Sequence, residues 1–248
     1  MSIEIIPLER LSLLLLPTIA VILLMSRWGL PYRKASYALV RMLVQLMLIG
    51  YALVMIFGSE SSWLTLGVLL IMIVASSWIS LNTLMADHLA MGTKFSLYPL
   101  ALISIGLGGG LTLILVTQLV LRLDPWYYPR YMVPLAGMIF ATAMTSISLA
   151  AERFQSELLQ GAEYEAARTV AYRTALIPIV NSMFAVGLVS LPGMMTGQIL
   201  SGVSPFIAAR YQIMVMGMLF CASGISSAIF LMQLKNRAQA QSSEQFQD

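Results

Sequence analysis

Residues 95–121 read FSLYPLALISIGLGGGLTLILVTQLVL, twenty-seven consecutive positions without a charge. As a helix this stretch is about 40 Å long, more than the roughly 30 Å of hydrocarbon in a bilayer. A barrel strand would alternate polar and apolar residues, and this run does not. Uncharged runs continue on both sides of it. Leu11 to Ser26 is short and holds Pro17, Met42 to Ser59 can start near Ser36 if Arg41 is tolerated, and Ser61 to Ala86 follows. Beyond the quoted run come Tyr131 to Ala151, Thr174 to Ala209 and Tyr211 to Leu234. Seven transmembrane helices is the expectation, or six if the first run only lies at the interface. Thr174 to Ala209 is too long for one straight span and too short for two full ones.

Composition agrees. The chain has 248 residues, 59% hydrophobic and 10% charged, against about 25% charged in an ordinary soluble domain. Fourteen basic and eleven acidic residues are too few to coat a soluble core. A soluble globular enzyme, a disordered chain and a β-barrel are excluded, leaving an all-α polytopic membrane protein. Residues 1–237 are expected to form one transmembrane domain. Residues 238–248, rich in Gln and Ser, are expected to be a disordered tail. A net charge of +3 is no argument for nucleic acid. Cys221 is the lone cysteine, so no intrachain disulfide is possible. Glu4 and Glu9 precede the first apolar run where a signal peptide would be basic, which predicts a retained first span.

Lys and Arg set the orientation. With the N-terminus outside, the inner face receives Arg27, Arg33, Lys34, Lys94, Arg153, Arg168, Arg173, Lys235 and Arg237, nine in all. The outer face receives Arg10, Arg122, Arg130 and Arg210, and Arg41 stays in or near the membrane. The C-terminus is therefore expected in the cytoplasm of a multi-pass inner (plasma) membrane protein. The loop with Trp126, Tyr127 and Tyr128 then lies outside, as an interfacial aromatic belt.

Glu152 to Thr174 carries seven charges. Apart from a break at Gly161 its residues favour helix. The expected form is helix, tight turn, short helix, then a new span, with Ala166, Val170 and Ala167 on one side of the short helix. Such a helix can lie on headgroups or dock into a groove on a soluble partner. Its mixed charge argues against simple anchoring.

The Gly161-Ala162 pair, the short helix with Ala166 and Pro178 seventeen residues after the glycine together resemble the coupling loop of ABC importer-type permeases. The Glu-Ala-Ala of that signature is missing where Gln155 stands, although Glu157 is near. A longer resemblance runs through Pro134 to Ile139, Ala175 to Pro178, Val186 to Gly202 and Tyr211 to Val215, with Arg41, Gln45, Ile49 and Gly50 upstream. In that order these residues resemble the FetB-type permeases of iron-export ABC transporters. The resemblance implies two copies of this chain in the bilayer, working with a cytoplasmic ATP-binding subunit that holds ATP and Mg. It implies an ATPase-coupling role for Glu157, Gly161, Ala162, Ala166, Arg168 and Pro178. No Gly-x-x-x-x-Gly-Lys-Ser/Thr loop occurs in the sequence, so the chain itself is expected to hold no cofactor and to hydrolyse no ATP.

Several residues are candidates for a translocation path. Pro192 and Gly193 break a helix, and a break at membrane depth is tolerated where it lines a cavity. Pro192, Gly193, Met194, Met195 and Gln198 would then border the path; the plain alternative is a turn near the outer surface. Arg41 and Gln45, four apart, share a helix face and could gate the path, unless Arg41 only snorkels to the headgroups. Asn181 could line the path or bridge two helices. Met138, Met144, Met194, Met195, Met214, Met216 and Met218 supply soft thioethers suited to Cu(I). Iron(II) prefers imidazole and carboxylate, which the spans lack. Met194 and Met195 are the candidate metal ligands, against a plain packing role. His88, beside Asp87, reads as a loop residue, and Gly106 to Gly110 as a site of close helix packing. No Ser-His-Asp set and no H-E-x-x-H supports an intramembrane enzyme.

The expected function is thus metal export, of iron by the resemblance, through a permease driven by a separate ATPase. Cu(I) or a nucleotide sugar is the alternative cargo. A gradient-driven carrier or channel and a non-transporting scaffold are the alternative classes.

Overall fold

The computed structural model describes residues 7–59, 61–82, 84 and 93–235. Asp87, His88 and the tail 238–248 lie outside them. Every named element among the described residues is a helix. That follows from the solvent: in hydrocarbon the backbone must satisfy its own N–H and C=O groups. Contacts divide the chain into two compact units, Met1–Ser59 and Glu60–Asp248.

The first unit opens with a single turn, Leu8–Ser12, and continues into α1, Leu15–Arg27. Pro17 sits in the first turn of α1, where a missing N–H costs no intrahelical bond. Gly29, at φ +71°, and Pro31 make the turn into α2, Tyr32–Phe57.

The second unit holds α3, Ser62–Ser80, α4, Lys94–Val120, and α5, Pro129–Leu159. It continues with α6, Tyr164–Ala185, α7, Gly193–Leu200, and α8, Pro205–Gln233. Thr93 caps α4 by accepting the Ser96 N–H. Two stretches of α4, Ile105–Gly109 and Leu115–Val120, are π-helical. Among the described residues, six helices are long and apolar enough to cross a membrane: Glu9–Arg27 and α2, α3, α4, α5 and α8. The protein is an all-α polytopic membrane protein.

Cross-helix contacts fix the direction of each helix in this unit. Ser146 Oγ donates to Ser223 Oγ at 2.9 Å, and these residues lie at similar distances from the starts of α5 and α8. The turn at Gly161 brings the end of α5 to the start of α6, which meets the end of α8, so α5 and α8 run parallel. Tyr164, at the start of α6, donates its hydroxyl hydrogen to the Leu231 carbonyl near the end of α8 at 3.1 Å, so α6 runs against both. Small side chains let the backbones approach: Ala136, Ala143, Ala150, Ala151, Ala167, Ala171 and Ala222 are buried. Further polar clasps include the Ser148 hydroxyl on the Ser80 carbonyl at 2.7 Å and the Gln233 amide on Ser104 Oγ at 2.9 Å.

Three expectations change. The run Thr174 to Ala209 is divided among the C-terminal half of α6, a loop, α7 and the first turn of α8. The short helix and new span expected after Gly161 are one helix, α6, which runs unbroken from Tyr164 through Arg173 and Pro178. Nothing between Glu165 and Ile177 breaks a helix, and Pro178 stays within α6. The buried face of α6 is Tyr164, Ala167, Ala171 and Ala175, with Ala166 turned outward beside Glu165. Within the glycine run, Gly108 lies against Ser226 and Gly109 against Phe140, while Gly106 and Gly110 face open space.

Candidate functional site

Helix α6 stops short of the end where α5 and α8 begin. Gly187, at φ +82°, turns the chain, and its N–H donates to the Ser190 carbonyl at 3.0 Å. Pro192 then sets the start of α7. The unfilled length leaves a cavity of about 580 Å³ between α5, α6, α8 and the segment Ser190 to Met194. Its α5 wall includes Met138, Thr142, Thr145 and Ser146. Pro178, Ile179, Ser182 and Ala185 come from α6, and Gln212, Met216, Leu219 and Ser223 from α8. Met138 and Ser146 lie nine and seventeen residues into α5, or about 13 and 25 Å along its axis. In a bilayer whose edge falls near Pro129, the cavity lies deep in the hydrocarbon.

The lining has no ionisable side chain. Gln212 is buried, and its Oε1 has no hydrogen-bond partner among the described residues. Pro192, Gly193 and Met194 line the cavity. Met195 is half-buried on α7 outside the lining, and Gln198, also outside it, has a buried Oε1 without a partner. Asn181 is exposed on α6 and is not a lining residue. Arg41 and Gln45 are exposed on α2, in the first unit. Pro178, assigned by resemblance to the coupling segment, also lines the cavity. Sequence reasoning passed over Gln212, Ser146 and Ser223. A glutamine inside an uncharged run was the available signal for the first.

The second candidate region is the hairpin joining α5 to α6. Gly161, at φ +83°, makes the turn, and a Cβ there would meet nothing within 4 Å. Arg153 and Glu157 form an ion pair on α5, and Arg168 pairs with Glu165 on α6. Arg168 also lies over the Tyr164 ring, 5.5 Å from its centroid. Leu159, Gly161 and Ala166 are exposed, and Ala162 is half-buried. Glu157, Gly161, Ala162, Ala166 and Arg168 are thus gathered on one hairpin.

Fold and site together define a multi-pass helical membrane protein with a neutral, partly open cavity between its helices. Residues 8–238 match the family described as the uncharacterised protein family UPF0014, and the chain belongs to it. It is similar to the probable iron export permease protein FetB of Escherichia coli, 32% identical over 89% of this chain and 88% of the relative. The UPF0014 membrane protein slr1647 of Synechocystis is 34% identical over 75% of this chain and 76% of its own length. The protein ALUMINUM SENSITIVE 3 of Arabidopsis thaliana is 34% identical over 77% of this chain and 72% of its own length. No solved structure matches.

Proposed function

We propose that this chain is the permease subunit of an ATP-driven metal exporter. Its cavity would hold cargo part-way across the membrane, and its α5–α6 hairpin would receive a cytoplasmic ATP-binding subunit that binds ATP and Mg. Two copies of the chain would sit in the inner membrane, each with its N-terminus outside and C-terminus inside. The observation that carries this reading is continuity: two of the helices that wall the cavity, α5 and α6, are the two that form the hairpin. The similarity to the Escherichia coli permease supports it and supplies iron as the first cargo to test.

Exposed Ala166 and the open turn at Gly161 give a partner a smooth, small surface. The variant that tests this is Gly161→Val. A left-handed φ costs a β-branched residue about 1–2 kcal/mol, too little to unfold the bundle. The expected result is a chain that purifies normally and loses the co-expressed ATPase on affinity capture. Full retention of the ATPase, with cargo-stimulated hydrolysis intact, would refute docking at this hairpin.

A further inference from the structure

The cavity has a donor set of its own. Methionines line it from three helices: Met138 on α5, Met194 on α7 and Met216 on α8. Six hydroxyl side chains line it, and four of them donate their hydrogen within the protein. Thr142 donates to the Met138 carbonyl at 2.8 Å, Thr145 to that of Ala141 at 3.0 Å and Ser182 to that of Pro178 at 2.9 Å. Ser146 donates to Ser223 Oγ. A hydroxyl whose hydrogen is spent offers lone pairs. Gln212, 5% exposed, adds an amide oxygen with no partner. A buried acceptor left so needs a donor or a cation.

We infer that this cavity binds a soft, singly charged metal ion, of the Cu(I) and Ag(I) class, through the thioethers of Met138, Met194 and Met216. Thioether sulfur prefers soft ions to hard ones. The limit to one charge follows from the neutral lining. A second or third positive charge taken from water would have no carboxylate to meet it. Among the described residues, no three His, Cys, Asp or Glu side chains gather anywhere. The cavity is larger than a bare ion, so an organic ammonium would also fit by size; the sulfurs favour the metal. This inference rests on reading the cavity as the cargo site, and it departs from iron in the identity of the ion.

The test is Ag(I) binding to the full-length chain in lipid nanodiscs, by equilibrium dialysis with elemental detection. The expected result is a single Ag(I) per chain, displaced by Cu(I) but not by equal Fe(II) or tetramethylammonium. Replacing the three methionines by leucine keeps the volume and should weaken binding at least roughly tenfold. Met194→Leu alone, on a helix with no buried residue, should weaken it in the same direction if the triple variant misfolds. Met232→Leu, exposed and outside the cavity, should change nothing. Unchanged Ag(I) affinity in the folded methionine variants would overturn the inference, as would displacement by Fe(II) or by tetramethylammonium. Ag(I) bound but never moved by an ATPase-loaded proteoliposome would retain this site and refute the permease reading. Another cargo moved by a chain that binds no Ag(I) would do the reverse.

Discussion

Gly108→Ala is expected to be the most disruptive single-methyl change in the bundle. A Cβ at Gly108 would stand 2.7 Å from the backbone nitrogen of Ser226 and 2.9 Å from its Cα, with Ser226 Oγ closer still. Backbone atoms have no rotamer to escape into, so α4 and α8 must separate. Overpacking a well-filled core costs about 1–3 kcal/mol when side chains can yield. Here they do not, and a loss at the top of that range, about 3 kcal/mol, is expected. Gly106 and Gly110 provide the comparison. They lie in the same stretch of α4, and an added Cβ meets nothing within 4 Å at either. Alanine there should leave stability unchanged or raise it, by up to about 1 kcal/mol from helix propensity. Thermal unfolding of the three variants in one detergent decides the matter. Equal midpoints would mean that the α4–α8 contact does not hold the bundle together.

Tyr164→Ala should be at least as costly, and its damage should be local. The ring is buried against Phe154, with centroids 5.9 Å apart and the rings nearly perpendicular. Arg168 covers another side of it. Truncating a buried aromatic ring costs about 3–5 kcal/mol. The hydroxyl contributes much less. The Leu231 carbonyl that accepts it also receives the Leu234 N–H at 3.2 Å, so Tyr164→Phe leaves no orphaned acceptor and should cost about 1 kcal/mol. Amide hydrogen exchange across 155–171 is the readout. Protection there should fall in the alanine variant and survive in the phenylalanine variant. Loss of protection in both would shift the holding force from the ring to the hydroxyl.

The spans were legible because a charge in hydrocarbon is expensive, so uncharged runs mark where the chain can lie. Even the awkward run from Thr174 to Ala209 gave its own warning, since its length fits neither one helix nor two. Its Pro192-Gly193 pair located the break. The hairpin was harder to read. Ala166 and Ala167 are identical to any hydropathy scale, and only packing against α5 and α8 decides that Ala167 goes in and Ala166 out. The same holds for the glycines of α4, which are adjacent letters in sequence but face different neighbours. Of the cavity, Pro192 and Gly193 announced themselves by backbone chemistry, and Met194 by its thioether beside them. Met138 and Met216 stood out by type but not by direction. Gln212 gave no local sign that its oxygen would be left unpaired, because a glutamine in a span can bond its own helix or a neighbour. That outcome depends on where α6 stops.

The unbroken course of α5 has a mechanical meaning. From Met138 to Leu159 it is twenty-two residues of continuous helix, a rod of about 32 Å. Alongside it α6 runs from Tyr164 to Ile177 without a proline. The prolines inside these helices, Pro134 and Pro178, lie toward the cavity rather than the hairpin tip. Bending concentrates where the backbone ladder is interrupted. The pair therefore behaves as a stiff shaft with its compliance at one end. A sideways pull of about 3 Å at the tip tilts such a shaft by about 5°, and the strain emerges at the wall of thioethers and hydroxyls instead of being lost along the way.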